Sequence, residues 1–177
     1  KARVRRGPMT IDKTFDPAAI ETKWFEHWET SGAFRPDRPD AQPFTIVNPP
    51  PNVTGSLHIG HALDNTLQDI LIRHARLQGK DALWVCGTDH AGIATQNKVE
   101  KILADEGTSR AALGRENFLK RVDDFVKNSQ STIRNQIRKM GSSCDWSRER
   151  YTLDAGLNQA VREAFFRMYS DGLIYRG

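Results

Sequence analysis

Three consecutive prolines, Pro49-Pro50-Pro51, separate a short apolar run from a strongly periodic stretch, and they constrain the fold more than any other feature of the chain. Proline fixes φ and donates no backbone hydrogen bond, so Asn48 to Ser56 is excluded from regular structure. Before this segment, Phe44-Thr45-Ile46-Val47 has the length and composition of a strand. After it, Leu63, Leu67, Ile70, Leu71 and His74 recur at the helical period. They predict a helix from Ile59 to Gly79, with the glycine as C-cap. Ala82-Leu83-Trp84-Val85-Cys86 is a second strand-length run, closed by Gly87. Strand, loop, helix and strand in this order make a βαβ unit, which requires a parallel pair with a right-handed crossover. The fold class is therefore α/β.

The flanks read as helices. Asp16-Pro17 predicts a start with proline at the first helical position, Gly32 a stop, and Ile20, Trp24, Phe25 and Trp28 a single stripe. Pro36, Pro39 and Pro43 mark an extended connection. Downstream, helices are expected over Ala91–Gly107, Arg115–Gly141 and Asp154–Gly172. The second turns Phe118, Val122, Phe125, Val126, Ile133 and Ile137 inward; the third carries Leu157, Val161, Ala164, Phe165 and Met168 on one face. Leu173-Ile174-Tyr175-Arg176 begins a strand at the end of the sequence, as expected of a piece of a larger sheet. Three regions result: residues 1–8, a flexible extension or cloning remnant before Met9; 9–42, a helical lead-in; and 43–177, the βαβ core with its helices.

Charge bears on partners. The net charge of +4 suggests nucleic acid, but Lys1, Arg3, Arg5 and Arg6 supply all of it, and the bases that remain equal the 22 acids in number. Any basic footprint must be local. No apolar run approaches the roughly 18 residues of a membrane-spanning helix. No signal-peptide pattern follows the basic N-terminus, and Cys86 and Cys144 form neither a disulfide framework nor a zinc-type pair. A reducing, cytoplasmic setting is expected, with no membrane partner. Under that expectation the sequon Asn52-Val53-Thr54 is a coincidence.

Two constellations carry chemistry, both at carboxyl ends of the predicted strands, where open α/β sheets bind ligands. The first is Pro50-Pro51-Asn52-Val53-Thr54-Gly55-Ser56-Leu57-His58-Ile59-Gly60-His61. His58 and His61, three apart at a helix start, share a face and can donate to phosphate oxygens where the helix dipole adds positive potential. Gly60 leaves room for a flat ring such as adenine against its backbone. That chemistry stabilises a phosphate undergoing transfer without a protein nucleophile. Two simpler readings compete: half of a metal site, for which no completing ligands are in view, or a turn with two incidental histidines. No Walker or Rossmann glycine pattern is present. The second constellation is Gly87-Thr88-Asp89-His90-Ala91-Gly92-Ile93-Ala94-Thr95-Gln96. Adjacent parallel strand ends place Asp89 before the first loop, where a carboxylate can hold an ammonium group. Alternatively Asp89 only caps the following helix.

NPPPNVTGSLHIGHAL at 48–63 resembles the HIGH signature of the class I aminoacyl-tRNA synthetases, and WVCGTDHAGIATQ at 84–96 resembles the partner segment of their valyl members. LGRENFLKRV, CDWSRERYTLD and DGLIYRG are also similar to that family, so the resemblance runs from about Lys13 to Gly177. It implies the first half of a Rossmann-like catalytic domain, truncated before the editing insertion. It also implies activation of L-valine by ATP with Mg2+, with no tightly bound metal in this segment. Transfer to tRNA(Val) would follow, with most tRNA contacts elsewhere in a monomeric enzyme; the segment alone would be inactive or nearly so. By the same resemblance, His58 and His61 are catalytic, Asn52, His58, Gly60 and His61 bind ATP, and Pro50, Pro51, Asn52 and Asp89 bind the amino acid. Cys86 departs from the proline expected there. Lys139-Met140-Gly141-Ser142-Ser143 looks like the lysine-containing KMSKS loop, but it follows a helix at its glycine cap and is rejected. A small nucleotidyltransferase with a histidine-x-glycine-histidine loop is the alternative enzyme; a non-catalytic binding fragment is the third reading.

Overall fold

The computed structural model describes residues 14–177, so the extension at 1–8 and the first residues of the lead-in lie outside the described residues. Its centre is the predicted unit. Strand β1 (Pro43–Val47) pairs in parallel with β2 (Asp81–Val85), Phe44 opposite Ala82 and Ile46 opposite Trp84. Helix α2 (Ile59–Leu77) makes the crossover. Its C-cap is Gln78, one residue ahead of the glycine expected there, and Gly79 follows with φ 80°. Alternation along β2 turns Ala82 and Trp84 inward. Trp84 is fully buried, and its indole N–H donates to Gln68 of α2 at 3.0 Å.

The lead-in helix α1 (Ala18–Ser31) begins one residue later than expected. The Asp16 carboxylate accepts from the Ala18 N–H, which places Pro17 at the cap rather than inside the first turn. Gly32 ends it at φ 68°. Only Phe25 of the predicted stripe is buried, and Trp24 is exposed. Arg138 ties the helix to the body by pairing with Glu29 at 2.9 Å and lying over the rings of Phe25 and Trp146.

Helix α3 (Gly92–Asp105) packs on α4 (Arg110–Lys139) through Val99, Leu103 and Phe118. Gly114, at φ 73°, interrupts α4 after its first turn, so the continuous helix starts at Arg115, as the periodicity predicts. Val126, Ile133 and Ile137 then close the main core against Val53, Ile72, Trp84, Cys86 and Cys144. The two thiols meet in that core; each other's proximity and burial push the Cys144 thiol well above its usual range.

Beyond Val85 the central strand continues and acquires a second neighbour. Strand β3 (Gly87–Thr88) pairs in parallel with β4 (Arg150–Tyr151), a pairing absent from the sequence reading. Gly87 is required there, because a Cβ would stand 2.4 Å from the carbonyl oxygen of Arg150.

Two apolar faces stand open, and one expectation fails. Leu63, Leu67, Ile70 and Leu71 are each more than half exposed, while α2 rests on the sheet through Asn65, Ile72 and Ala75. Periodicity identified the helix, but among the described residues its leucine face has no partner. The expected face of α5 (Ala155–Ser170) is likewise open: Val161, Phe165 and Met168 are exposed and Leu157 is half-buried. Residues 173–176 form no strand, because none of the described strands pairs with them.

Candidate active site

The two constellations meet at the carboxyl end of the central strand. The Asp89 N–H donates to the Pro51 carbonyl and the Val53 N–H donates to the Asp89 carbonyl, both at 2.9 Å, and Asn52 forms a parallel bridge with Asp89. The proline segment is thus irregular in itself but stitched to the end of β3. Pro51 and Val53 are buried beneath this seam, and Asn52 faces outward. Behind it, the buried Asn48 amide donates to Asn65, which in turn donates to the His61 carbonyl. A recess of about 240 Å3 opens beside the seam, lined by Val47, Pro50, Thr88, Arg150, Thr152 and Leu157.

The start of α2 is capped by the two histidines themselves. His58 is the N-cap, and its Nδ1 accepts from the Gly60 N–H at 3.1 Å. In return, Nδ1 of His61 accepts from the His58 N–H at 3.3 Å. This is the reciprocal arrangement of a capping box, with imidazoles in place of the usual Ser and Glu. A ring nitrogen accepts only when unprotonated, so each neutral ring carries its proton on Nε2. The cap therefore assigns the tautomer and leaves Nε2–H as the free donor of each histidine. The rings lie 4.0 Å apart, centroid to centroid. Partial burial lowers the His61 pKa, and the neighbouring His58 lowers it further against the opposing pull of Asp64. Gly60 has a local reason to be glycine. A Cβ would stand 2.9 Å from Cε1 and 3.0 Å from Nδ1 of His58 and push that ring off the cap. The Leu57 N–H, just ahead of the cap, donates to the Gln136 side chain of α4 at 2.8 Å.

Asp89 does not cap a helix. The N-cap of α3 is Ala91, without a side-chain cap and in the left-handed region at φ 47°, the one non-glycine residue with positive φ among those described. The Asp89 carboxylate instead accepts from the Thr152 hydroxyl at 2.7 Å, next to β4. His90 is fixed by the same segment, its N–H donating to Thr152 at 2.8 Å and its Nδ1 lying 2.6 Å from the Tyr151 hydroxyl. Burial, with the charges of Asp123 and Asp89, raises the Tyr151 pKa and keeps the phenol protonated. Thr152, Tyr151 and Gln136 were missed from sequence, since none lies near either motif along the chain.

The lysine-containing segment at 139–143 is a helix end. Gly141 is left-handed at φ 74°, and Ser142 and Ser143 are buried, the latter bonded to Asp69 and Arg76. Among the described residues, no group of three or more His, Cys, Asp or Glu side chains is placed to hold a metal, and no helix is long and apolar enough to cross a membrane.

A family model described as tRNA synthetases class I (I, L, M and V) matches residues 23–177. The chain belongs to the class I tRNA synthetases. Among curated proteins similar to it, the valine--tRNA ligases of Rhizorhabdus wittichii and Zymomonas mobilis are each 62% identical over 168 residues, 95% of this chain and 19% of theirs. That of Geobacter sulfurreducens is 57% identical over 167 residues, again 19% of its length. The chain spans about a fifth of the length of these synthetases. Its fold matches a LeuRS of Agrobacterium radiobacter, solved in a ternary complex with tRNA and LeuAMS, with a TM-score of 0.78. The match covers 93% of this chain and 19% of that one at 23% identity, and it establishes a partial Rossmann-like class I synthetase fold.

Proposed function

We propose that this chain forms the ATP-binding and amino-acid-binding half of the activation site of a valine--tRNA ligase, which converts L-valine and ATP to valyl-adenylate and pyrophosphate before transfer to tRNA(Val). The observation that carries the reading is the seam joining Pro51–Val53 to Asp89, which sets a phosphate-type loop and a carboxylate side by side. The high identity to valine--tRNA ligases supports valine as the amino acid.

The Nε2–H groups of His58 and His61 serve as donors to the phosphates at the start of α2, where the helix dipole adds positive potential. As the valine carboxylate attacks the α-phosphorus, negative charge grows on the phosphate oxygens, and donors already in place stabilise it without reorganisation. Mg2+ enters with ATP as part of the substrate. Pyrophosphate leaves and no protein nucleophile takes part. Gly60 and Asn52 line the nucleotide side; Pro50, Pro51 and Asp89 line the amino-acid side, with the Asp89 carboxylate pairing with the α-ammonium. The enzyme works in the cytoplasm as a monomer, and its second phosphate loop and most tRNA contacts lie outside this segment.

Amino-acid-dependent ATP–pyrophosphate exchange by the full-length ligase tests the reading. Valine should support exchange better than isoleucine or leucine, and a preference for either of those, or for a phosphate-ester acceptor, refutes it.

A further inference from the structure

Resting on the assignment of Asp89 to the substrate ammonium, we infer that Thr152 is a positioning residue for amino-acid binding, setting which Asp89 oxygen meets the substrate and where. Asp89 is held at three points. Its N–H and carbonyl are clamped to Pro51 and Val53, which fixes the main chain against the signature loop. Its Oδ1 accepts from the Thr152 hydroxyl at 2.7 Å, which fixes rotation of the carboxylate. Among the described residues no side chain or backbone group donates to Oδ2, so that oxygen is the one presented to a cation.

The direction of the hydroxyl follows from bonding capacity. The His90 N–H already donates to Thr152 Oγ1 at 2.8 Å, so the hydroxyl proton is left for the carboxylate. Thr152 is itself anchored, because its N–H donates to the Thr88 carbonyl at 3.1 Å at the end of the β3–β4 pairing. The relay thus runs from sheet to hydroxyl to carboxylate to ammonium. A carboxylate free to turn would divide its charge among several orientations, and one locked in place loses less freedom when the ammonium binds.

The experiment measures valine-dependent ATP–pyrophosphate exchange in the full-length ligase carrying Thr152→Val, Thr152→Ser or Asp89→Ala. Valine keeps the branched shape and the backbone N–H bonded to Thr88 but lacks the hydroxyl. Thr152→Val should raise the KM for valine about 10-fold, the usual scale for a hydrogen bond to a charged group, with kcat and the KM for ATP little changed. Thr152→Ser should restore wild-type behaviour. Inhibition by isovalerate, which has valine's carbon frame and carboxylate but no ammonium, should be the same in Thr152→Val and wild type. A parallel loss for isovalerate and valine overturns the inference, because Thr152 would then act by shaping the site as a whole. If Asp89→Ala weakens valine but Thr152→Val does not, the inference falls while the assignment of Asp89 stands. If Asp89→Ala leaves the KM for valine unchanged, that assignment fails and the inference fails with it.

Discussion

The two halves of the candidate site are held in different ways. The loop ending in His58-Ile59-Gly60-His61 is shaped largely from within, each histidine capping the backbone of the same turn. Next to the cap it is tied to a distant helix by Gln136 on Leu57, and further back Pro51 and Val53 join it to Asp89. The Asp89–His90 turn is shaped from outside: it lacks a side-chain cap, includes the left-handed Ala91, and is fixed by Tyr151 and Thr152 some sixty residues later. A self-capped turn can be recognised in a short stretch of sequence, whereas one set by a remote segment cannot.

The largest expected effect falls on the self-capped turn. His61→Ala removes the proposed phosphate donor and the acceptor for the His58 N–H together, and should slow valine-dependent exchange by ~10²-fold or more. A loss below about threefold would show that the ring acts as a cap alone. Gly60→Ala should cost less, about 10-fold, because His58 can swing away from the new methyl group but loses its cap bond in doing so. Full activity in Gly60→Ala would mean that His58 does its work off the cap. Gln136→Leu should cost a few-fold in rate and about 1 kcal/mol in stability, the usual worth of one neutral hydrogen bond. If it matched His61→Ala, the loop would depend on distant support as heavily as the Asp89 turn does, and the contrast between them would collapse.

The same contrast explains what was legible in the sequence. The strands and helix of the βαβ unit, the long helix from Arg115 and the histidine loop each carry their signal in residues close along the chain, and each stands where periodicity and turn chemistry put it. The β3–β4 pairing is two residues long on each side, too short to leave an alternating pattern, so Thr152 carried no signal of its proximity to Asp89. Burial of whole faces was not legible either. The leucines of α2 and the apolar residues of α5 are spaced for packing, but spacing says nothing of what lies opposite, and both faces are exposed among the described residues. The local demand on Gly60 was not legible: the sequence offers it as room for a nucleotide ring, and the fold adds that a side chain there would crowd His58.

The smallest effect is a pH dependence peculiar to the self-capped turn. His61 has a folded pKa below its ordinary 6.5, chiefly through burial and then through His58. The unfolded chain therefore takes up this proton first as pH falls, and stability rises with pH wherever the unfolded state binds more protons. The contribution is complete above the unfolded pKa. It is lost as pH drops from there through the folded pKa, where the His61 Nδ1 acquires a proton and ceases to accept from His58. His61→Gln isolates the effect, since glutamine at the same position is the usual capping-box acceptor and does not titrate. The two proteins should have similar urea midpoints at about pH 8, and the wild type should lose more stability than the variant on descent to about pH 5. Parallel losses would show that the cap does not depend on the neutral ring, and that the tautomer leaving Nε2–H free for phosphate is set by something other than the backbone of this turn.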